Sequence, residues 1–199
     1  MTSSVRAWVE NAPVGTWFRP SELGGNAAEQ ALSRLARDPE SQVVRAAKGL
    51  YFKSPPPDPM LGKQRPAPVE VAKRVAQGRG VGPAGGYAAA QLELTSQVAP
   101  RPTLAIVGRP PRGVDGVRWQ TRANPARAQL GFTEVAVVEL MALVPSAIEA
   151  PWEELVATVA RLRDRNAVRL HQIVRVVAVE RRKPALQRNL ARLRADLPA

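Results

Sequence analysis

Hydrophobic and polar positions recur at helical spacing through the first forty residues and predict three helices. The first covers residues 4–12, where Val5, Trp8 and Val9 fall at i, i+3 and i+4. The second starts at Pro20, after a short extended segment with bulky side chains. A pair of glycines then turns the chain into the third helix.

The third predicted helix, residues 26–37, has an apolar face and a polar face. The apolar positions, which must face a core, are Ala28, Ala31, Leu32 and Leu35. The opposite face carries amides, a hydroxyl and guanidiniums: Asn26, Gln30, Ser33 and Arg37, with Arg34 beside them. These groups can contact base edges and phosphates, although an ordinary solvated face would have the same composition. Asn26 is also a good N-cap, and Glu29 completes a pattern resembling a capping box.

Residues 42–53 predict a basic β-hairpin after the third helix. Arg45, Lys48 and Lys53 would place positive charge beside that helix, where they could contact phosphates. Two helices joined by a turn and followed by a hairpin predict a winged helix-turn-helix, whose helix fits the DNA major groove.

A proline-rich segment, residues 54–68, separates this predicted domain from the rest of the chain. It contains six prolines and favours a semi-rigid linker of polyproline II type. The sequence therefore divides into a winged helix-turn-helix domain at 1–53, the linker, and a second domain at 69–199.

The second domain is predicted to be mainly helical with a small β-sheet, so the whole chain belongs to the α+β class. Strands are expected at Thr103–Val107 and Val117–Arg122. The predicted helices cover residues 69–77, 87–92, 133–144, 152–165, 168–181 and 184–197.

The glycine-rich segment 78–86 resembles a phosphate-binding loop only superficially. It lacks the GxxxxGK[ST] pattern, and no clear strand precedes it. We expect a loop that leads into the helix 87–92 and no bound cofactor.

Composition narrows the possible functions. The 199 residues carry a net charge of +12, which suits a nucleic-acid partner, although an arginine-rich surface without a partner is the alternative. The chain has no cysteine and one histidine, His171, so thiolate sites and multi-histidine metal sites are excluded. We expect no enzymatic activity, because no acid–nucleophile set surrounds His171 in the sequence. We expect no membrane association and a cytoplasmic location, because the sequence shows no signal peptide or long apolar span.

The charge is distributed unevenly between the predicted parts. Residues 1–53 contain seven basic and five acidic groups, whereas residues 69–132 contain nine and three. We therefore expect a second basic surface on the C-terminal domain, with scattered solvated arginines as the alternative. Its members would be Arg101, Arg109, Arg112, Arg118, Arg122 and Arg127.

Three stretches of the chain resemble the AbiEi-type antitoxins of type IV toxin–antitoxin systems. They are FRPSEL and QALSRL at 18–23 and 30–35, KGLY at 48–51, and PAGGYAAAQLELTSQV at 83–98. The resemblance implies an N-terminal winged helix that binds operator repeats upstream of its own operon and represses it. It also implies a C-terminal domain that counteracts a nucleotidyltransferase-like toxin.

The leading hypothesis is therefore a DNA-binding antitoxin and autorepressor. Its candidate DNA-binding residues are Asn26, Gln30, Ser33, Arg34, Arg37, Arg45, Lys48 and Lys53. The alternative is a winged-helix module that binds another protein without specific DNA binding.

Overall fold

The computed structural model describes residues 2–97, 100–180 and 183–198. Helices and two small sheets alternate along this part of the chain, which confirms the predicted α+β class. Val98, which ends the third motif above, and Arg181, which ends a predicted helix, lie outside the described residues.

The chain divides into two compact units. The first comprises Met1–Val71 with Gly113–Asp115, and the second comprises Ala72–Arg112 with Gly116–Ala199.

The first unit packs helices against a three-stranded antiparallel sheet of order β1-β3-β2. Its elements are α1 (Thr2–Asn11), β1 (Trp17–Phe18), α2 (Asn26–Arg37), β2 (Val43–Ala47) and β3 (Leu50–Lys53). The first and third predicted helices are thus α1 and α2, and the predicted hairpin is β2–β3. The predicted second helix is wrong in kind, because Pro20–Glu22 forms a single 3-10 turn.

The start of α2 also differs from the prediction. Gly25 is the N-cap with φ 69° and ψ −128°, and no side chain caps the helix. Only glycine adopts that conformation without strain, so Asn26 becomes the first helical residue. The predicted capping role of Asn26 is therefore wrong, and its amide projects from an exposed residue.

The core of the first unit lies between α1, α2 and the sheet. Phe18, Ala28, Leu32 and Tyr51 are each fully buried there. Ala31 and Leu35 pack against this core as partly buried residues, so the predicted apolar face of α2 is confirmed. Burial of this face fixes the rotation of α2 about its axis.

Lys53 is 6% exposed and closes the carbonyl end of α1. Its Nζ donates to the carbonyl oxygens of Val9, Glu10 and Ala12 at 3.0, 2.7 and 2.7 Å. A cation at this end of a helix replaces the missing intrahelical donors and is favoured by the helix dipole.

Lys63 binds the carbonyl end of α2 in the same way. Its Nζ donates to the carbonyl oxygens of Leu35 and Ala36 at 3.2 and 3.1 Å, and to that of Val43 at 2.9 Å. Burial lowers the pKa of Lys63. These bonds hold the proline-rich segment, which the sequence assigns to a linker, on the first unit.

The second unit surrounds one buried helix. Helix α3 (Pro68–Val75) contains the boundary between the two units. The other elements of the second unit are β4 (Gly82–Pro83), α4 (Gly86–Gln91), β5 (Thr103–Val107), β6 (Arg118–Arg122), α5 (Phe132–Met141), α6 (Trp152–Asp164), α7 (Leu170–Ala178) and α8 (Pro184–Asp196). Residues 134–141 of α5 are all buried. Strand β5 pairs antiparallel with β4 and parallel with β6.

The glycine-rich segment contains β4, which the sequence did not predict. A Cβ at Gly82 would overlap the Phe132 carbonyl and the Val135 side chain, and one at Gly80 would overlap the Arg127 carbonyl. These glycines therefore allow the segment to pack closely against its neighbours.

The remaining predicted helices and strands of the second unit are confirmed to within a few residues at their ends. In the described part of the chain, no helix is long and apolar enough to span a bilayer.

We predict that Lys53→Met destabilises the protein by about 2–4 kcal/mol, because three carbonyls lose a charged donor. Urea denaturation followed by circular dichroism measures the change. The matched control is Lys48→Met in the same hairpin. Lys48 is exposed, so its replacement should change stability by less than about 0.5 kcal/mol. Equal effects of the two variants would contradict this role of Lys53.

Candidate nucleic-acid interface

The polar face of α2 is open to solvent over most of its length. Asn26, Gln30, Arg34 and Arg37 are exposed, whereas Ser33 is half-buried. The exposed residues follow the i, i+4, i+8, i+11 positions of one arc. We name them the α2 arc. Amide and guanidinium groups in this pattern can donate to and accept from base edges and phosphate oxygens.

The hairpin lies beside the α2 arc and is joined to α2 through Glu29. The Tyr51 hydroxyl donates to the Glu29 carboxylate at 3.3 Å, and the Arg45 guanidinium lies 3.9 Å from the same oxygen. Burial raises the pKa of Tyr51, and the Glu29 charge raises it further, so the phenol keeps its proton. The carboxylate that the sequence assigned to a capping box therefore connects α2 to the hairpin.

Exposed positive charge on the hairpin comes from Arg45 and Lys48. Lys48 lies in the two-residue turn between β2 and β3, where Gly49 adopts φ 66°. A lysine at the tip of a hairpin is free to approach a phosphate as a point charge.

Lys53 is wrongly predicted as a phosphate contact. Its ammonium is buried against the end of α1, where three backbone carbonyls occupy its hydrogen-bonding capacity. Strand alternation contained a signal for this, because Lys53 and the core residue Tyr51 are two apart in β3 and share a face.

Four members of the predicted basic surface of the second unit are open to solvent. Arg101 and Arg118 are exposed at the end where β5 begins, and Arg109 and Arg112 are exposed in the connection from β5 to β6. Their exposure agrees with the prediction for these four arginines.

Arg122 and Arg127 are wrongly predicted as members of that surface. Arg127 is 1% exposed and forms ion pairs with Glu139 and Glu180, while Arg122 pairs with Glu139. We name these four residues the ion cluster. Two buried carboxylates draw the arginines inward, since a buried charge without a partner costs several kcal/mol.

The ion cluster keeps its carboxylates ionised. Burial alone would raise the pKa of Glu139, but hydrogen bonds from Arg122 and the charges of Arg122 and Arg127 outweigh it and lower the pKa below its usual value. The pKa of Glu180 is also lowered, because hydrogen bonds from Arg127 and Asn124 outweigh burial. A signal in the sequence was the position of Glu139 after a run of four apolar residues, Val135–Val138, in the same helix.

His171 is exposed on α7, near Arg163 and Arg194. Glu153 and Glu154 lie in the first turn of α6.

Comparison with known proteins gives a distant structural similarity. No protein-family model matches the chain, and no curated protein matches it. Among solved structures, the chain is similar to the Rv2827c protein of Mycobacterium tuberculosis. The alignment covers 96% of this chain and 74% of that protein, with 17% identity and a TM-score of 0.47. A similarity at this level carries no argument about function.

We predict that Glu139→Gln lowers stability by about 3–5 kcal/mol at pH 7, because Arg127 loses a buried charged partner. The pKa of Glu139 is lower in the folded protein than in the unfolded chain. Its stabilising contribution is therefore present above about pH 4.3 and is lost as the pH falls through the folded value. Denaturant unfolding at several pH values should show a shallower acid dependence for the variant. Glu153→Gln, at an exposed position, serves as the control, and an acid dependence equal to wild type in Glu139→Gln would contradict the assignment.

Proposed function

We propose that the first unit is a winged helix-turn-helix that binds operator DNA, with α2 as the recognition helix. The observation that supports this most is the division of α2 into a buried apolar side and an exposed polar arc. Ala28 and Leu32 are fully buried, while Gln30, Arg34 and Arg37 lie in solvent. A helix with such a face fits the major groove of B-DNA.

The proposed roles follow from side-chain chemistry. Gln30 and Arg37 contact base edges, because a carboxamide can bond adenine and a guanidinium can bond guanine in bidentate fashion. Asn26 joins them, since its amide is not used as a helix cap. Arg34, Arg45 and Lys48 contact phosphates and give salt-dependent affinity. Ser33 contributes less, because it is half-buried on the side of α2 that faces Tyr51.

The biological role that we propose is that of an antitoxin. The protein represses its own operon through the first unit and counteracts a nucleotidyltransferase-like toxin through the second. The support is the resemblance of the stretches at 18–35, 48–51 and 83–98 to AbiEi-type antitoxins.

A second function is favoured by the modest charge of the first unit. Residues 1–53 carry seven basic and five acidic groups, and one of the basic groups, Lys53, is buried. A winged helix with few free cations could bind a protein instead of DNA. A lack of affinity for DNA upstream of the gene, at any salt concentration, would favour this protein-binding function.

We predict that Arg37→Ala weakens binding to DNA from upstream of its own reading frame by about 5- to 150-fold, the equivalent of one bidentate base contact of about 1–3 kcal/mol. Its affinity for a scrambled duplex should change much less. Fluorescence anisotropy at fixed salt measures both. The contrasting variant is Lys48→Ala, which should weaken both duplexes alike and reduce the slope of log K against log salt by about 0.9. Unchanged affinity of Arg37→Ala for the upstream fragment would count against the proposed recognition helix.

We predict that expression of a nucleotidyltransferase-like enzyme encoded beside this gene arrests growth, and that co-expression of this protein restores it. Colony counts with and without induction measure the rescue. Arg37→Ala should preserve rescue, because we assign toxin neutralisation to the second unit. Arrest that persists in the presence of the wild-type protein would refute the antitoxin role and leave the DNA-binding proposal standing.

A further inference from the structure

A groove of about 510 Å³ lies among α6, α7 and the end of α8 in the second unit. We name it the C-terminal groove. Its described lining residues are Arg163, Leu170, His171, Val174, Arg194, Leu197 and Pro198. None of these seven residues is acidic.

The floor of the C-terminal groove is aliphatic. Leu170 and Val174 are half-buried and lie one helical turn apart on α7, and the half-buried Leu197 follows α8. Side chains four residues apart form a ridge of the kind that packs against a second helix. None of the described lining residues is phenylalanine, tyrosine or tryptophan, the side chains on which single-stranded bases most often stack.

The rim of the groove is basic. The Arg163 guanidinium is fixed there, because it donates to Asp164 at 2.9 Å and to the Pro198 carbonyl oxygen at 2.6 Å. Arg194 on α8 and His171 on α7 are both exposed and also line the groove. The nearby Asp196 carboxylate accepts from the Trp152 indole at 2.8 Å and lies 3.6 Å from Arg192, so its charge is matched by a neighbour.

We propose that the C-terminal groove binds an acidic amphipathic helix of a partner protein. Apolar side chains at helical spacing would cover Leu170, Val174 and Leu197, as in other helix-in-groove complexes. Arg163 is already paired with Asp164, so a carboxylate on the flank of that helix would face the exposed Arg194, and this positive charge selects an acidic partner. The interaction does not depend on DNA binding by the first unit.

The test uses the full chain and two synthetic peptides. The first is a 14-residue helical peptide with leucines at i, i+4 and i+7 and with glutamates at the positions that flank this leucine stripe. The second peptide is identical except that each glutamate is replaced by lysine. Fluorescence anisotropy should show that the glutamate peptide binds about tenfold or more tightly than the lysine peptide. Arg194→Glu should weaken the glutamate peptide by about tenfold or more, because it places like charges together.

Arg188→Glu is the matched control, since Arg188 is exposed on α8 but does not line the groove. It should alter peptide binding by less than about twofold. Equal binding of the two peptides, or binding of neither, would overturn the proposal. A loss of duplex DNA affinity in Arg194→Glu equal to the loss of peptide affinity would assign the groove to nucleic acid. Self-association in sedimentation that Arg194→Glu abolishes would assign it to a second copy of the chain.

Upstream-DNA binding measured on Arg194→Glu should equal that of wild type. The peptide experiment can thus fail while DNA binding persists, and the reverse can also occur, so the two proposals are tested separately.

Discussion

The buried cations of both units are bound by oxygen atoms, because a buried charge needs such partners. This need for partners decides which positively charged side chains remain exposed to solvent. An ammonium or guanidinium that leaves water without such partners costs several kcal/mol. In the first unit the buried Lys53 and the half-buried Lys63 bind carbonyl oxygens at the ends of α1 and α2. In the second unit the charge of Arg127 is balanced by Glu139 and Glu180, which accept from two of its three guanidinium nitrogens. These interactions connect segments that are distant in sequence and leave a smaller set of cations in solvent.

The cations that stay in solvent are the ones that can contact a polyanion. Lys53 and Lys63 are bound to backbone carbonyls at the helix ends, while Arg34, Arg37, Arg45 and Lys48 are exposed around one helix and its hairpin. The net charge of +12 therefore overstates what is available to a polyanion. The buried apolar side of α2 fixes which of its residues face solvent, so recognition in our account depends on packing at least as much as on charge.

Local pattern was sufficient to predict most elements and the α2 arc. The periodicity of α2, α6 and α8, and the β-favouring residues on both sides of the Lys48–Gly49 turn, are properties of nearby residues. Contacts between distant residues were missed. Tyr51 and Glu29 are 22 residues apart, and Arg127 and Glu180 are 53 apart. The strand β4 was missed because two residues, one of them proline, carry no strand pattern. Lys53 was assigned to the surface because lysine is usually exposed, although its position two residues after Tyr51 indicated the core side.

The most direct measurement of the central claim is hydrogen–deuterium exchange of the full chain with and without duplex DNA from upstream of its own reading frame. The account predicts slower exchange at backbone amides of α2 and of the β2–β3 turn when the duplex is added, with little change in α6, α7 and α8. Slowing confined to the second unit, with α2 exchanging at the same rate in both samples, would contradict it.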